Sequence, residues 1–187
     1  MFYISKYKSP VGEITLASNG EKLTGLWFDG QKNFADTLLE NYEEKDLPVF
    51  EQTKKWLDIY FSGKAPDFTP PLDMGKISQF RKRVWEIMLE IPFGQTSTYG
   101  KIAKQIAEET GKKVSGQAVG GAVGHNSISL VIPCHRVVGT NGGLTGYAGG
   151  IDKKIKLLRL EGVDVLEGVD VSKYSVSQKG VAIIDAN

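Results

Sequence analysis

The chain has 187 residues, of which 41% are hydrophobic and 24% are charged, and its formal net charge is +1. These values are typical of a globular protein that buries a hydrophobic core without disulfides. The single cysteine, Cys134, excludes an internal disulfide and a multi-cysteine zinc site. No apolar run approaches the roughly 20 residues of a membrane span, and no apolar leader opens the chain. We therefore expect a cytoplasmic protein without membrane association.

The charge is distributed unevenly along the chain. Residues 1–75 contain 8 Lys or Arg against 12 Asp or Glu, a net charge of −4. Residues 76–165 contain 13 against 7, a net charge of +6, and residues 166–187 have a net charge of −1. The basic segment suggests an anionic partner such as a nucleic acid. Ordinary solvated surface charge is the alternative explanation.

The first 75 residues predict a lobe that contains β-strands. Alternating apolar residues and an Asn19-Gly20 hairpin signal predict strands, and apolar residues repeated every three to four positions predict helices. The expected elements are three strands, at residues 3–7, 12–18 and 23–28, and two helices, at residues 32–42 and 48–62. Residues 64–71, which contain three prolines, are the expected connector, and the boundary between two lobes is expected near residues 64–76.

The following segment predicts three helices in a helix-turn-helix arrangement, each with a capping hydroxyl. The helices are expected at residues 79–89 after Ser78, at residues 99–109 after Ser97 or Thr98, and at residues 116–124 after Ser115. The third helix is rich in glycine and alanine, and only Gln117 has a long polar side chain. So slim a helix suits a minor groove, or close packing against a neighbouring helix. The sequence leaves both open.

The cysteine follows an apolar run at residues 129–132, which predicts a buried strand or extended segment. A free thiol has a pKa of about 8.5, so rapid attack by Cys134 needs a nearby base or positive charge. Neighbouring side chains of an extended segment point to opposite faces, so His135 need not touch Cys134 directly, and a water molecule between them could relay the proton. A buried carboxylate is the usual group that holds such an imidazole. An inert core cysteine is the alternative interpretation.

The residues around Cys134 resemble the active-site signature of the O6-alkylguanine-DNA alkyltransferases, also called methylated-DNA–protein-cysteine methyltransferases. The match covers Pro133-Cys134-His135-Arg136-Val137. Further blocks of the family occur here in the same order and spacing: Ile91-Pro92-Phe93-Gly94, Thr98-Tyr99, Gln117 to Ala122, Asn126, Gly146 to Gly150 and Leu157 to Gly162. The resemblance is strong from about residue 77 to 162 and looser over residues 1–75.

This resemblance implies an α+β fold of three parts. Residues 1–75 would form a small ribonuclease-H-like lobe that contains β-strands. Residues 76–165 would form a helical, winged-helix-like lobe with a helix-turn-helix that binds DNA and carries the transferase site. Residues 166–187 would be a C-terminal extension, in which the Glu161–Val165 motif recurs as Glu167–Val171 and residues 180–184 could add a strand.

The resemblance also implies catalytic roles. Cys134 would accept the methyl group, and His135 would act as its general base through a water molecule. Glu161 would hold and polarise His135, and the Leu157-Leu158 context favours it over the duplicated glutamate. Asn126 would brace the turn that carries the active-site segment. Tyr99 would crowd a DNA phosphate to help rotate the nucleotide outward, and its hydroxyl would protonate the leaving guanine.

Substrate contacts are implied in the same way. Tyr147, Ala148 and Gly149 would form a loop over the flipped base, with the Ala148 amide near the substrate oxygen. The backbone carbonyls of Cys134 and Val137 would accept from the guanine amino group. The remaining predicted DNA or substrate contacts are Ser115, Gln117, Ala118, Gly120, Ala122, Arg136 and Lys154.

Two departures from the family pattern bear on function. Gln117 replaces the arginine that usually fills the gap left by the flipped base, and it lacks the charge and planar fork of a guanidinium. Residues 1–75 contain neither cysteine nor histidine, so we expect no zinc and no other cofactor. The implied activity is a single, irreversible alkyl transfer by a monomer acting on double-stranded DNA that contains O6-alkylguanine. No second thiol is available to remove the alkyl group.

Three other functions are compatible with parts of the sequence. A damage sensor of the alkyltransferase-like type would bind DNA without chemistry, but such proteins lack the cysteine. A thiol hydrolase that uses Cys134, His135 and Glu161 would turn over repeatedly. A helix-turn-helix regulator would need more side chains that read base edges.

Overall fold

The computed structural model describes residues 1–38 and 41–165, and it divides into two compact units. Unit 1 comprises Met1–Ile77, of which residues 39–40 are not described, together with Ser127–Val131. The described part of unit 2 comprises Ser78–Asn126 and residues 132–165. The predicted extension, with its second motif copy and its strand at residues 180–184, lies outside the described residues. In the described part of the chain, no helix is long and apolar enough to cross a membrane.

Unit 1 is built on a four-stranded sheet with the strand order β3-β2-β1-β4. Its strands are β1 (Phe2–Ser9), β2 (Gly12–Ser18), β3 (Leu23–Phe28) and β4 (Tyr42–Glu44). The first three are antiparallel neighbours, and β4 runs parallel to β1. Helix α1 (Pro48–Phe61) contacts the first three strands. The three predicted strands and the helix that begins at Pro48 are therefore confirmed.

The helix predicted at residues 32–42 is wrong. Residues 32–37 form turns, and β4 begins at Tyr42. Asn33 and Ala35 have left-handed φ angles of 58° and 54°, which a right-handed helix does not accommodate. Phe34, which we placed on the apolar face of this helix, instead sets its ring edge-on to Trp27, at 6.2 Å between centroids.

Unit 2 is mainly helical. It contains α2 (Gln79–Leu89), α3 (Tyr99–Thr110), α4 (Gly116–Gly124) and α5 (Ile151–Leu160), with β5 (Ser97–Thr98) parallel to β6 (Val137–Val138). The hydroxyls of Ser78, Thr98 and Ser115 accept backbone N–H groups at the starts of α2, α3 and α4. The predicted helix-turn-helix is thus confirmed, and the caps explain where its helices begin.

Helix α4 packs closely against its neighbours. It contacts both α2 and α3, and the indole Nε1 of Trp85 on α2 donates to the carbonyl oxygen of Ala122 at 2.9 Å. Gly111 ends α3 in the left-handed conformation, at φ 67°, which turns the chain toward α4. Small residues therefore serve close packing on the inner side of α4.

The strand predicted at residues 129–132 is also wrong, although the segment is buried as expected. Ile128 forms an isolated parallel bridge with Leu26, and the chain then turns through Leu130 at φ 68°. Cys134–Arg136 form one 3-10 turn instead of an extended segment. The left-handed residue ends strand pairing directly after the bridge, so the cysteine lies on a tight turn.

Glycine at position 25 makes room for an indole ring. A Cβ built on Gly25 would lie 1.9 Å from the ring of Trp27, which is buried. We expect Gly25→Ala to lower the free energy of unfolding by about 2 kcal/mol or more, because the ring must leave its site. Urea denaturation measures this. Gly124→Ala, where nothing lies within 4 Å of the added Cβ, is the matched control and is expected to change stability little.

Candidate active site

Cys134 lies on the 3-10 turn and only 5% of it is exposed. Its backbone N–H donates to the carbonyl oxygen of Ile132 at 2.8 Å. The same carbonyl accepts from Nδ2 of Asn126 at 2.7 Å, within the protein interior. Asn126 therefore anchors the backbone two residues before the thiol, at the place where the sequence predicted a brace.

His135 and Glu161 form the pair that the sequence analysis expected. Nε2 of His135 and Oε1 of Glu161 are 2.6 Å apart, and both side chains are fully buried. An ionised carboxylate can only accept a hydrogen bond, so Nε2 carries the proton in this pair and Nδ1 carries the lone pair. The imidazole thus presents its basic nitrogen on the side of the ring away from Glu161.

Arg136, predicted among the DNA or substrate contacts, lies buried against Glu161. Its Nε donates to Oε2 at 2.9 Å, and its Nη2 donates to Oε1 at 3.0 Å. Its Nη1 donates to the carbonyl oxygen of Ile91 at 2.7 Å. The backbone N–H of Gly94 donates to Oε2 of Glu161 at 3.1 Å. The carboxylate of Glu161 is therefore hydrogen-bonded to an imidazole, a bidentate guanidinium and a backbone amide.

The charges of this cluster follow from its contacts. Burial alone would raise the pKa of Glu161, but hydrogen bonds and charges from His135 and Arg136 outweigh it and lower this pKa to about 2. Burial lowers the pKa of His135, and the charges of Arg136 and Lys154 lower it further against the opposing effect of Glu161. At neutral pH the cluster therefore holds a carboxylate, a guanidinium and a neutral imidazole.

Lys154 supplies a second buried cation. Its Nζ donates to the carbonyl oxygen of Val137 at 2.6 Å and to that of Gly146 at 3.4 Å. Burial lowers the pKa of Lys154 to about 8, while the charge of Cys134 opposes this shift. The interaction is mutual, so the Lys154 ammonium favours the thiolate form of Cys134. Val137, whose carbonyl we expected to meet guanine, already accepts from this lysine and keeps a second lone pair.

Tyr99 is the first residue of α3 and interacts electrostatically with Cys134. Burial and the charge of Cys134 raise the pKa of Tyr99 to about 12, so its hydroxyl keeps its proton at neutral pH. That hydroxyl donates to the carbonyl oxygen of Thr145 at 3.2 Å. Tyr147, Ala148 and Gly149 follow in the same loop and are half-buried.

The predicted contacts on α4 divide between its two sides. Ser115, Gln117 and Ala118 are exposed, as is Gly121, whereas Ala122 is buried. Gly120 is half-buried, and a Cβ there would meet the ring of Tyr99 at 3.9 Å. Nothing lies within 4 Å of a Cβ built on Gly121. The helix therefore has an open side made of small residues and Gln117, and a packed side.

Several backbone groups that complete the site were not predicted from the sequence. The carbonyls of Ile91 and Thr145 and the amide of Gly94 all hold functional side chains. Gly94 adopts a φ of 78°, a conformation that favours glycine, and the sequence marks it only as part of the Ile91-Pro92-Phe93-Gly94 block. In the parts of the chain that the structure describes, no group of three or more His, Cys, Asp or Glu residues is placed to hold a metal ion.

Comparisons with known proteins identify the family of this chain. The model described as "6-O-methylguanine DNA methyltransferase, DNA binding domain" matches residues 79–163, and the model for the ribonuclease-like domain of the same proteins matches residues 2–74. A methylated-DNA–protein-cysteine methyltransferase of Methanosarcina acetivorans is 41% identical over 163 residues, which cover 86% of this chain and 98% of the relative. One of Mycobacterium bovis is 40% identical over 167 residues, covering 86% and 93%.

Solved structures agree with these matches. The chain resembles a crystal structure of Mycobacterium tuberculosis OGT in complex with DNA, with a TM-score of 0.74 and 40% identity. That match covers 85% of this chain and 92% of the other. An O6-methylguanine-DNA methyltransferase from Pyrococcus kodakaraensis has a TM-score of 0.64 at 26% identity, covering 87% of this chain and 100% of the other. The chain belongs to the 6-O-methylguanine DNA methyltransferase family, the methylated-DNA–protein-cysteine methyltransferases.

Removing the charge of Glu161 tests whether the cluster depends on it. Glu161→Gln leaves the buried Arg136 without its counter-ion, so we expect the free energy of unfolding to fall by about 3 kcal/mol. Urea denaturation at neutral pH measures this. Glu108→Gln, which removes an exposed ion pair with Lys104, is the control and should cost less than about 0.5 kcal/mol. Equal effects of the two variants would contradict the central place of Glu161.

Acid unfolding provides a second test of the stability that the ionised carboxylate of Glu161 contributes. The pKa of Glu161 is depressed in the folded protein, so its contribution is fully present above about pH 4.5 and is lost as the pH falls toward about 2. Glu161→Gln has no carboxylate to protonate. The difference in unfolding free energy between the native protein and the variant should therefore narrow below about pH 4.5.

Proposed function

We propose that the protein repairs O6-alkylguanine in double-stranded DNA by transferring the alkyl group to the sulfur of Cys134, once per molecule. The observation that carries this proposal is a buried thiol beside a neutral imidazole, which is held by an ionised carboxylate in a helix-turn-helix unit. Residues 1–75 form the ribonuclease-like lobe in this assignment, and residues 76–165 bind DNA and perform the transfer. The protein acts as a cytoplasmic monomer and needs no cofactor.

Activation of the thiol begins at His135. Because Nε2 donates to Glu161, Nδ1 is the nitrogen that takes the proton of Cys134, through one water molecule. The pKa of His135 is lowered, so the imidazole is neutral and able to accept at neutral pH. The positive charge of Lys154 stabilises the thiolate that forms. Asn126 keeps the turn in place while the charge on sulfur changes.

The transfer itself is an in-line displacement. The thiolate sulfur of Cys134 attacks the alkyl carbon, a carbon–sulfur bond forms, and the bond from that carbon to guanine O6 breaks with its electron pair moving to the guanine. The hydroxyl of Tyr99, which keeps its proton at neutral pH, donates it to the leaving guanine. The product is a thioether, a poor leaving group, so the protein is used once.

The alkylated base must leave the stack to reach a buried sulfur, which costs a few kcal/mol. The open side of α4 enters the minor groove in this proposal, where a narrow helix fits. Gln117 occupies the gap left by the base, and Tyr99 crowds the adjacent phosphate. Tyr147, Ala148 and Gly149 then lie over the flipped base. Exposed lysines of α3 and the following turn, Lys101, Lys104, Lys112 and Lys113, supply salt-dependent phosphate contacts.

Transfer can be followed directly with a duplex that contains one O6-methylguanine. Peptide mass spectrometry is expected to show one added methylene on the peptide that bears Cys134, with an end point of one methyl per protein. Cys134→Ala should bind the same duplex and transfer nothing. Repeated turnover, or a methyl group on another residue, would refute the proposal.

The open side of α4 provides a test in which stability and function move in opposite directions. Gly121→Leu improves helix propensity by about 0.8 kcal/mol and meets no neighbouring atom within 4 Å of its Cβ, so the folded protein should be as stable or more stable. The larger side chain no longer fits a minor groove about 6 Å wide, so we expect duplex affinity to fall about tenfold or more.

Fluorescence anisotropy with labelled duplex measures this affinity, and thermal unfolding measures stability. Gln52→Leu on the exposed side of α1 adds the same side chain to unit 1 and should leave DNA binding unchanged. Unchanged affinity of Gly121→Leu would place α4 outside the groove.

Gln117→Arg on the same side of α4 should increase the rate of transfer from duplex relative to single strand, because a guanidinium fills the gap and carries charge.

A further inference from the structure

The hydroxyl of Tyr99 has a partner that the proposed chemistry does not use. It donates to the carbonyl oxygen of Thr145, at 3.2 Å between the two oxygens. The adjacent carbonyl, that of Gly146, accepts from Nζ of Lys154 at 3.4 Å. Two functional side chains thus hold two consecutive carbonyls of one loop. We name residues 143–150, the last part of the segment that joins β6 to α5, the strap.

The strap is anchored at its start. Leu144 is buried in an apolar cluster with Val138 and Leu158, and the Gly143 carbonyl accepts from the Gly139 amide at 2.8 Å. Thr145 and Gly146, which follow, are exposed, and the backbone of Gly146 is left-handed at φ 64°. This exposed stretch opens more easily than the anchored start unless side chains outside it hold it. The side chain of Tyr99 is one of these.

Tyr99 also touches the helix that we assign to the minor groove. Cβ atoms built on Gly116 and Gly120 of α4 would meet Tyr99 at 3.7 Å and 3.9 Å. The ring therefore lies against α4 while its hydroxyl reaches the strap. Tyr99 is therefore a close neighbour of both α4 and the strap.

We propose that the Tyr99–Thr145 hydrogen bond is a latch that holds the strap in the free protein and is exchanged for a hydrogen bond to the flipped base. This inference rests on the proposed function. A tyrosine hydroxyl has one proton to donate, so Tyr99 cannot serve Thr145 and the guanine at once. Arrival of the base therefore breaks the latch and frees the segment just before Tyr147 to adjust over the substrate.

The exchange is almost neutral in energy when a base with an acceptor is present, since one hydrogen bond replaces another. Without such a base, opening the latch leaves the Thr145 carbonyl without this donor. The strap thus stays in its closed arrangement until a nucleotide occupies the site. Tyr99 is in this respect a positioning residue as well as the proposed proton donor.

Hydrogen exchange in the free protein tests the latch without any DNA. Tyr99→Phe removes the hydroxyl and keeps the ring against α4. We expect the amides of Thr145 and Gly150 to exchange about three- to tenfold faster in this variant, the ratio that loss of one hydrogen bond produces in an opening equilibrium. Amides in the middle of α2 should be unchanged, which shows that the unit remains folded.

Tyr7→Phe is the matched control, since Tyr7 donates its hydroxyl to Asp58 at 2.7 Å within unit 1. It should leave exchange in the strap unchanged. Equal exchange at Thr145 and Gly150 in Tyr99→Phe and the native protein would overturn the latch. If methyl transfer slows in Tyr99→Phe while strap exchange does not change, Tyr99 acts in the chemistry alone. If the native protein transfers no methyl group, the proposed function fails together with the exchange for a flipped base, and the hydrogen-exchange data still decide whether Tyr99 holds the strap.

Discussion

The buried carboxylate of Glu161 is the constraint on which the geometry of the transferase unit depends. A charge without water around it is tolerated only when it is paired and hydrogen-bonded. Here the partners come from separate parts of the chain: the 3-10 turn supplies His135 and Arg136, the segment after α2 supplies the amide of Gly94, and Glu161 itself ends α5. Satisfying one carboxylate therefore fixes the relative positions of these three segments.

Two buried cations, Arg136 and Lys154, influence the charges of the other groups in this site. Burial lowers the pKa of His135, and the charge of Arg136 beside Glu161 lowers it further, so the imidazole remains a base. Lys154 donates to the Val137 carbonyl, adds to the lowering of the His135 pKa and interacts with the charge of Cys134.

Much of the fold follows from local sequence signals, because these signals act within a few residues. The hydroxyls of Ser78, Thr98 and Ser115 mark helix starts, since each side chain competes for the same unsatisfied amides wherever the helix lies. The pairing of His135 with Glu161, 26 positions apart, came from resemblance to a family and not from local pattern. The distance between these two side chains depends on the tertiary fold, which the periodicity of the sequence does not encode.

Other features left no readable signal. The left-handed backbone of Ala35 and Leu130 runs against the ordinary preference of both residue types, so tertiary contacts override it. The resemblance placed Arg136 among the DNA or substrate contacts, and no signal in the sequence indicates that a buried carboxylate draws this charged side chain inward. The carbonyl of Thr145 and that of Ile91 serve as acceptors that any residue would provide, and for this reason side-chain chemistry could not reveal them.

The path of the chain bears on whether unit 2 could fold as a separate fragment. Ser127–Val131 belong to unit 1, where Leu26 of β3 donates to Ser127 and accepts from Ser129. The chain thus leaves unit 2 after Asn126 and returns only two residues before Cys134. A fragment cut at the connector would carry this apolar stretch without the strand that pairs with it. The turn that carries Cys134 is therefore joined along the chain to a segment whose hydrogen bonds belong to the sheet of unit 1.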